Sequence, residues 1–250
     1  MKKDFWNIKA KKYPRAFDQK NYKDSLDLIK KIEELGVSFE RKKIADIGCG
    51  TGNYSLVLAQ KASEVFCLDF SPEMLKILKK DASLNGIKNI SVELSSFEDF
   101  DARSKEKYFD ISFASMTPAI KTKEEVLKME YICKEFCVFI GWAGKRENKV
   151  ADRIIKAHGI KPYHPKGFLE VKDILKERNI EFKEYSFESS WDWTGTMDEA
   201  IEDFSARIRM EDIEPNREKI ISILKDEFPS GNIKMRTLAS QGLLIWKPSN

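Results

Sequence analysis

The sequence predicts an α/β protein: a doubly wound, mostly parallel sheet with helices on both faces, a helical cap ahead of it and a helical insertion before the last strand. Three observations carry this prediction. The run Ile44-Ala45-Asp46-Ile47 passes directly into the glycine-rich turn Gly48-Cys49-Gly50-Thr51-Gly52, and an amphipathic run follows at once. A second run, Glu64-Val65-Phe66-Cys67-Leu68-Asp69, also ends in an acid ahead of a helix start. Further along, strand-like runs alternate with helical stripes, the pattern of βαβ units.

The glycine turn is the centre of the chain. Glycine takes positive φ freely and lets a ligand approach the backbone. A helix start behind such a turn directs free N–H groups at whatever occupies it. A phosphate-binding P-loop needs Lys after its last Gly, and Asn53 stands there. A dinucleotide fingerprint reads G-x-G-x-x-G, whereas the spacing here is G-x-G-x-G with Asp46 two residues upstream. An acid so placed repels a pyrophosphate and attracts an ammonium or sulfonium. The run Asp46-Ile47-Gly48-Cys49-Gly50-Thr51-Gly52 resembles motif I of the class I, Rossmann-like methyltransferases that use S-adenosylmethionine.

Asp69 lies 17 residues after Gly52. A carboxylate at that strand end can accept from both ribose hydroxyls, and dinucleotide sites place an acid about 20 residues on for the same reason. Asp69 alone therefore leaves S-adenosylmethionine and NAD both open; the glycine spacing separates them. The resemblance implies a seven-stranded sheet with the last strand antiparallel. It assigns Asp46 to the ammonium, directly or through water, with Gly48, Gly50 and Gly52 giving room and Asp69 on the ribose. The family often has an acid on the adenine amino group after the third strand. Aligned on Glu98-Asp99, that position is Ser96, so adenine recognition is expected from the Ser96 hydroxyl and the Phe97 backbone N–H, with Phe70 and Phe97 packing on the ring.

The chain is expected to form a single methyltransferase domain over 1–250: a cap over 1–40, a cofactor-binding core over 41–145 and a helical insertion or lid over 189–233. In the cap, the pattern Trp6, Ala10, Tyr13 is similar to lead-in segments that cover the cofactor, which puts Trp6 or Tyr13 at the edge of the pocket. Leu26, Leu28, Ile29, Ile32 and Leu35 form a helical stripe that Gly36 ends. Thr51–Lys61 reads as the first helix of the core. Ser71 is an N-cap, Pro72 a first helical residue and Glu73 a match for the dipole.

Tyr108–Ala114 reads as the fourth strand, so Ser115, Met116 and Thr117 fall at its carboxyl end, where such sheets bind ligands. Glu135–Gly141 reads as the fifth strand, with Trp142 beyond it as a pocket wall. Ile180–Phe187 reads as the sixth, Trp191–Thr196 as an aromatic loop, and Met197–Ile208 and Asn216–Phe228 as helices.

The resemblance implies transfer of a methyl group to an acceptor by in-line displacement, a reaction that mainly needs the reactants aligned. The catalytic side chain is unassigned; His158 and His164, the two histidines, are the candidates for a general base. No metal is expected, because Cys133 and Cys137 have no second pair at zinc spacing, and all four cysteines read as buried thiols. Amino-methylating nucleic-acid and protein enzymes tend to carry an Asp/Asn-Pro-Pro-aromatic motif after the fourth strand, and cytosine C5 enzymes a Cys beside Pro. Ser115-Met116-Thr117-Pro118 has neither. With a net charge of +3 and a pI near 8.5, the acceptor is expected to be a small molecule rather than nucleic acid or protein. A non-catalytic S-adenosylmethionine-binding partner module is a further alternative. The longest apolar run, Cys137–Trp142, is too short to span a bilayer, so a cytoplasmic protein is expected; oligomeric state is left open.

Overall fold

The computed structural model describes residues 3–162 and 165–249. Helices α1 (Lys3–Ala10) and α2 (Gln19–Glu34) precede strand β1 (Lys43–Ile47), followed by α3 (Ser55–Leu58), β2 (Glu64–Asp69), α4 (Pro72–Leu84) and β3 (Ile90–Leu94). Then come β4 (Phe109–Ser115), α5 (Lys123–Tyr131), β5 (Cys133–Glu147), α6 (Lys149–Ala157) and α7 (Gly167–Glu177). Strand β6 (Phe182–Gly195), helices α8 (Met197–Arg209) and α9 (Arg217–Glu227), and β7 (Ile233–Trp246) complete the chain.

The seven strands form one sheet in the order β3-β2-β1-β4-β5-β7-β6, with β7 antiparallel to both neighbours. Two-residue alternation builds a core on each face. Ile44, Val65, Cys67, Ile111, Phe113, Val138 and Ile140 point to the side of α2, α3 and α4. Ala45, Ile47, Phe66, Leu68, Phe139 and Leu244 point to the side of α5 and α7. Strand order reverses between β1 and β4, so the crevice for a ligand opens beyond the carboxyl ends of those two strands.

The helix starts behave as their sequences require. Ser71 Oγ accepts from the Met74 amide, with Pro72 opening α4. Thr122 and Thr196 each form a reciprocal capping box with a Glu three residues on.

Three elements differ from the sequence reading. The helix expected over Thr51–Lys61 is regular only at Ser55–Leu58; the flanking residues stay in turns because Gly52, at φ +85°, lies against Leu78 and Leu56, where a β-carbon would collide. Strand β5 runs on to Glu147, so Trp142 lies within it rather than past its end. Likewise Trp191–Gly195, expected as a loop, continues β6. Both extensions are held by partner backbone: Arg146 pairs with Ala239 and Trp191 with Thr237. Cross-strand pairing sustains these stretches where local apolar pattern is thin.

The extended β5–β7–β6 wall therefore rises beyond the carboxyl edge of the parallel strands. There α6, α8 and α9 build a third, smaller core from Ile154, Ile155, Ile201, Phe204, Ile208, Ile220 and Leu224, closed by Ile233 and Met235 of β7. The helical insertion is thus 197–227, with the start of the expected 189–233 segment belonging to β6.

Candidate active site

At the carboxyl ends of β1 and β4 the chain folds around a pocket of about 100 Å³. Its floor is Gly48, Cys49 and Gly50, its acids are Asp46 and Asp69, its far wall is Ser115–Pro118, and Trp6, Tyr13 and Phe70 close it.

The floor is a matter of backbone reach. The amides of Gly48 and Cys49 both donate to the Leu68 carbonyl, which pins the turn to β2. Gly48 has φ +71°, and a β-carbon there would lie 2.1 Å from Thr117 Oγ1, so only glycine lets β4's exit pass so close. Gly50 differs: at φ +56°, a β-carbon would point into the pocket, with Tyr13 at 4.0 Å as its nearest neighbour. Met116 takes φ +53°, an unusual conformation for a bulky residue, and its amide donates to Ile140 at 2.8 Å.

Asp69 is held by two backbone amides, Gly50 at 2.9 Å and Ser71 at 2.8 Å, one on each oxygen. Burial raises its pKa despite these bonds. Asp46 is 2% exposed. Burial pushes its carboxyl up to about 7; the Ser55 hydroxyl, donating to it, pulls down, and the Asp69 charge adds to the rise. Among the described residues no lysine or arginine pairs with either carboxylate. Tyr13 lies near Asp69, and burial followed by that charge raises its phenol pKa, which keeps it protonated. The Trp6 indole N–H is buried, with no acceptor among the described residues.

The cap is tied down on several sides. Asn7 accepts from the Ser71 hydroxyl at 2.7 Å, and Thr51 donates to the Pro14 carbonyl at 2.8 Å. Arg15 pairs with Asp81 of α4, while Lys9 and Lys12 pair with Asp203 and Glu199 of α8.

The pocket brings together Trp6, Tyr13, Asp46, Gly48, Gly50, Asp69, Phe70, Ser115, Met116 and Thr117. Other expected site residues fall elsewhere. Gly52 shapes the turn from behind, against α4. Phe97 is core: 3% exposed, stacked on Phe100 and outside the lining. Ser96 is occupied locally, its hydroxyl donating to Asp99 at 2.6 Å and accepting from the Asp99 amide. Trp142 stands on the extended wall against Trp191. His158 joins α6 to α9: its Nδ1 meets the Ile154 carbonyl at 2.8 Å and its Nε2 accepts from the Asn216 amide at 3.0 Å. With both nitrogens engaged and the pocket lined by other residues, it is a structural histidine. His164 lies outside the described residues. Cys49, Asn53, Tyr54, Met74 and Pro118 also line the pocket; only Cys49, inside the glycine turn, carries a local signal for it.

The arrangement fits a cationic nucleoside. Among the described residues two buried acids lack a cation, one of them at the carboxyl end of β2, the Gly50 cradle has room for backbone approach, and Trp6 holds out a donor without an acceptor. Among the described residues no cluster of His, Cys, Asp or Glu forms a metal-binding group. No helix among them is long and apolar enough to cross a membrane.

Comparison with known proteins agrees. A family model described as "Methyltransferase domain" matches residues 38–188. The 23S rRNA (uracil(1939)-C(5))-methyltransferase RlmD of Francisella tularensis subsp. novicida is 30% identical over 114 residues, 45% of this chain and 25% of that protein. The tRNA/tmRNA (uracil-C(5))-methyltransferase of Campylobacter lari is 32% identical over 114 residues, 43% of this chain and 33% of that protein. The chain thus spans only a quarter to a third of the length of these relatives. Among solved structures, the YcgJ protein from Bacillus subtilis superposes with a TM-score of 0.53 at 17% identity, covering 91% of this chain and 99% of that one. A phosphoethanolamine N-methyltransferase of Haemonchus contortus gives 0.50 at 14% identity, covering 91% and 53%. These likenesses show the fold. With the family match over more than half its length, the chain belongs to the methyltransferase-domain family of S-adenosylmethionine-dependent enzymes with the class I, Rossmann-like fold.

Proposed function

We propose that the protein transfers a methyl group from S-adenosylmethionine to a small-molecule acceptor by direct in-line displacement. The observation that carries the reading is the pair of buried, cation-free carboxylates, Asp46 and Asp69, at the glycine turn. Asp46 takes the ammonium and Asp69 the ribose hydroxyls, with the Gly48–Gly50 backbone beneath. Phe70 lies beside Asp69, where it can pack on the adenine. Bound there, the cofactor supplies an electrophilic methyl carbon on a sulfonium. The protein's part is alignment and exclusion of water by Trp6, Tyr13 and the Ser115–Pro118 wall, contributions that can reach roughly 7–11 kcal/mol in well-oriented reactions. Among the described residues no histidine lines the pocket, so this reading assigns no general base.

A small acceptor is favoured by the enclosing architecture. The extended β5–β7–β6 wall and the cap surround the carboxyl edge, and the helical part of the expected 189–233 segment, residues 197–227, acts as a lid over it in this reading. The relatives named for rRNA and tRNA support a second reading, an RNA acceptor. Methylating a pyrimidine carbon needs a nucleophile to activate the ring, and the four cysteines here are buried. Cys49 alone lines the pocket, and burial, then Cys67, push its thiol pKa well up.

Calorimetric titration with S-adenosylmethionine, S-adenosylhomocysteine and NAD tests the cofactor half. Micromolar binding of the first two and none of NAD is expected. Failure of both sulfur compounds to bind folded protein would sink it. Labelled methyl transfer to small-molecule and RNA pools then separates the two acceptors.

A further inference from the structure

The extended wall carries a feature that the cofactor pocket does not use. Arg146, near the end of β5, and Arg207, on α8, are both partly buried, and their charges are close enough to repel. Neither guanidinium has a hydrogen bond or ion pair with any described residue. Arg15, Arg103, Arg153, Arg178 and Arg217, by contrast, each grip a carboxylate. The acids that act on the pair do so without an ion pair: Asp152 and Asp203 on both, and Glu211 on Arg207. Asp203 is already taken by Lys9 of the cap.

Two tryptophans complete the feature. The Arg146 guanidinium lies 5.5 Å from the Trp142 ring centre and 5.9 Å from that of Trp191. The two rings are 5.8 Å apart and tilted by 43°. Stacking of this kind orients a planar guanidinium without using its N–H donors.

The position suits an acceptor. Trp142 is two residues beyond Ile140, which pairs with Ser115 of the pocket wall. Arg207 is one helical turn from Asp203, and Asp203 holds the same cap helix that brings Trp6 to the pocket. The feature therefore stands on the ligand side of the sheet, one strand over from the pocket.

We propose that Arg146 and Arg207 bind a carboxylate or phosphate on the acceptor, whose flat or apolar body lies against Trp142 and Trp191. This rests on the small-molecule methyltransferase reading and narrows it to an anionic acceptor. Two forked donors near one another recognise a planar or tetrahedral anion by charge-assisted hydrogen bonds. Burial and the mutual repulsion lower the pKa of Arg146 to about 10, so both groups remain cationic at neutral pH and an anion between them removes the repulsion.

The test is a titration of protein saturated with S-adenosylhomocysteine, using benzoate, phenyl phosphate and benzamide as probes and tryptophan fluorescence and calorimetry as readouts. At least one anion should bind ten times or more tighter than benzamide, and the two anion arms distinguish carboxylate from phosphate. R146Q and R207Q should each lose tenfold or more for the anion while S-adenosylhomocysteine affinity stays within twofold; R207K should recover part of the loss. Equal binding of benzamide, no binding of either anion, or unaltered anion binding in both Gln variants would overturn the proposal. So would a single-stranded RNA oligonucleotide that binds through these arginines while neither small anion does. If one variant fails to fold, the wild-type probe series and the other variant still decide. Failure of S-adenosylhomocysteine to bind would instead strike the cofactor reading, and the same anion titration on cofactor-free protein would still report on the arginines.

Discussion

Two buried acids, one at each end of the sheet, live in opposite circumstances. Glu130 of α5, 3% exposed, is fully partnered. Arg178 donates to both its oxygens at 2.8 Å, the Trp246 indole donates at 2.9 Å, and the Ser249 hydroxyl donates at 2.7 Å. Burial alone would raise its pKa, but these bonds, Arg178 first, hold it below the usual range. Asp46 is as deeply buried, and among the described residues it has Ser55 as its hydrogen-bond donor and no cation. The first end is complete within the chain. The second has the electrostatics of a site that a cation completes. Burial by itself does not mark function; burial without a partner does.

The largest expected effect lies at the complete end. Glu130→Ala leaves the largely buried Arg178 without its carboxylate, with the Ser249 hydroxyl as remaining partner, and should destabilise the fold by about 3–5 kcal/mol in denaturant melts. Because the folded pKa of Glu130 is depressed, its contribution is present above the ordinary glutamate pKa and is lost as pH falls through the folded value. S-adenosylmethionine affinity of the remaining folded protein should be unchanged. A matching loss of affinity would break the contrast between the ends.

At the other end the sign reverses. The Asp46 pKa is about 7 folded against about 3.8 unfolded, so the carboxyl favours the folded state most at low pH. That advantage fades as pH rises from about 4 to about 7. Asp46→Asn should therefore outstrip the parent in stability increasingly across that window, by on the order of 4 kcal/mol when fully developed. Urea melts at pH 5 and pH 8 check this. In the parent, binding of the cationic cofactor below pH 7 should release a proton, seen as a buffer-dependent heat; Asp46→Asn should bind weakly and release none.

Asp69→Ala should weaken S-adenosylmethionine at least tenfold, since ribose hydroxyls lose their acceptor and the Gly50 and Ser71 amides lose theirs. Unchanged calorimetric affinity would remove Asp69 from the ribose. The smallest effect is expected from Ser55→Ala. It deletes the hydrogen bond that lowers the Asp46 pKa and should move the pH midpoint of cofactor binding upward, at a cost of about 1 kcal/mol in affinity at neutral pH.

Much of this was legible before any coordinates. The turn Gly48–Gly52, the acids Asp46 and Asp69, and the helix start at Ser71-Pro72 are local chemistry, and each stands where its residues put it. The illegible parts depend on distant chain. Ser96 and Phe97 follow β3 as the family pattern expects, yet Asp99 occupies the one and Phe100 covers the other. Trp142 and Trp191 are strand residues because β7 runs between them, which no short window reveals. One signal was present: Tyr185, Phe187, Trp191 and Trp193 alternate with polar neighbours, the period of a strand. Arg146 and Arg207 are 61 positions apart in the sequence, and only the fold brings their charges within range of one another.

The cap that closes the pocket is held by ion pairs as well as by hydrogen bonds and buried Ala10 and Ala16: Lys9 and Lys12 to α8, Arg15 to α4. Lys12–Glu199 is the exposed one of the three, and a pair of that kind is worth about 0–1 kcal/mol and weakens with salt. In the proposed reading, a cofactor beneath Trp6 and Tyr13 leaves as those contacts part. In that reading, release of S-adenosylhomocysteine is expected to quicken with moderate salt, which stopped-flow measurement at rising salt would check.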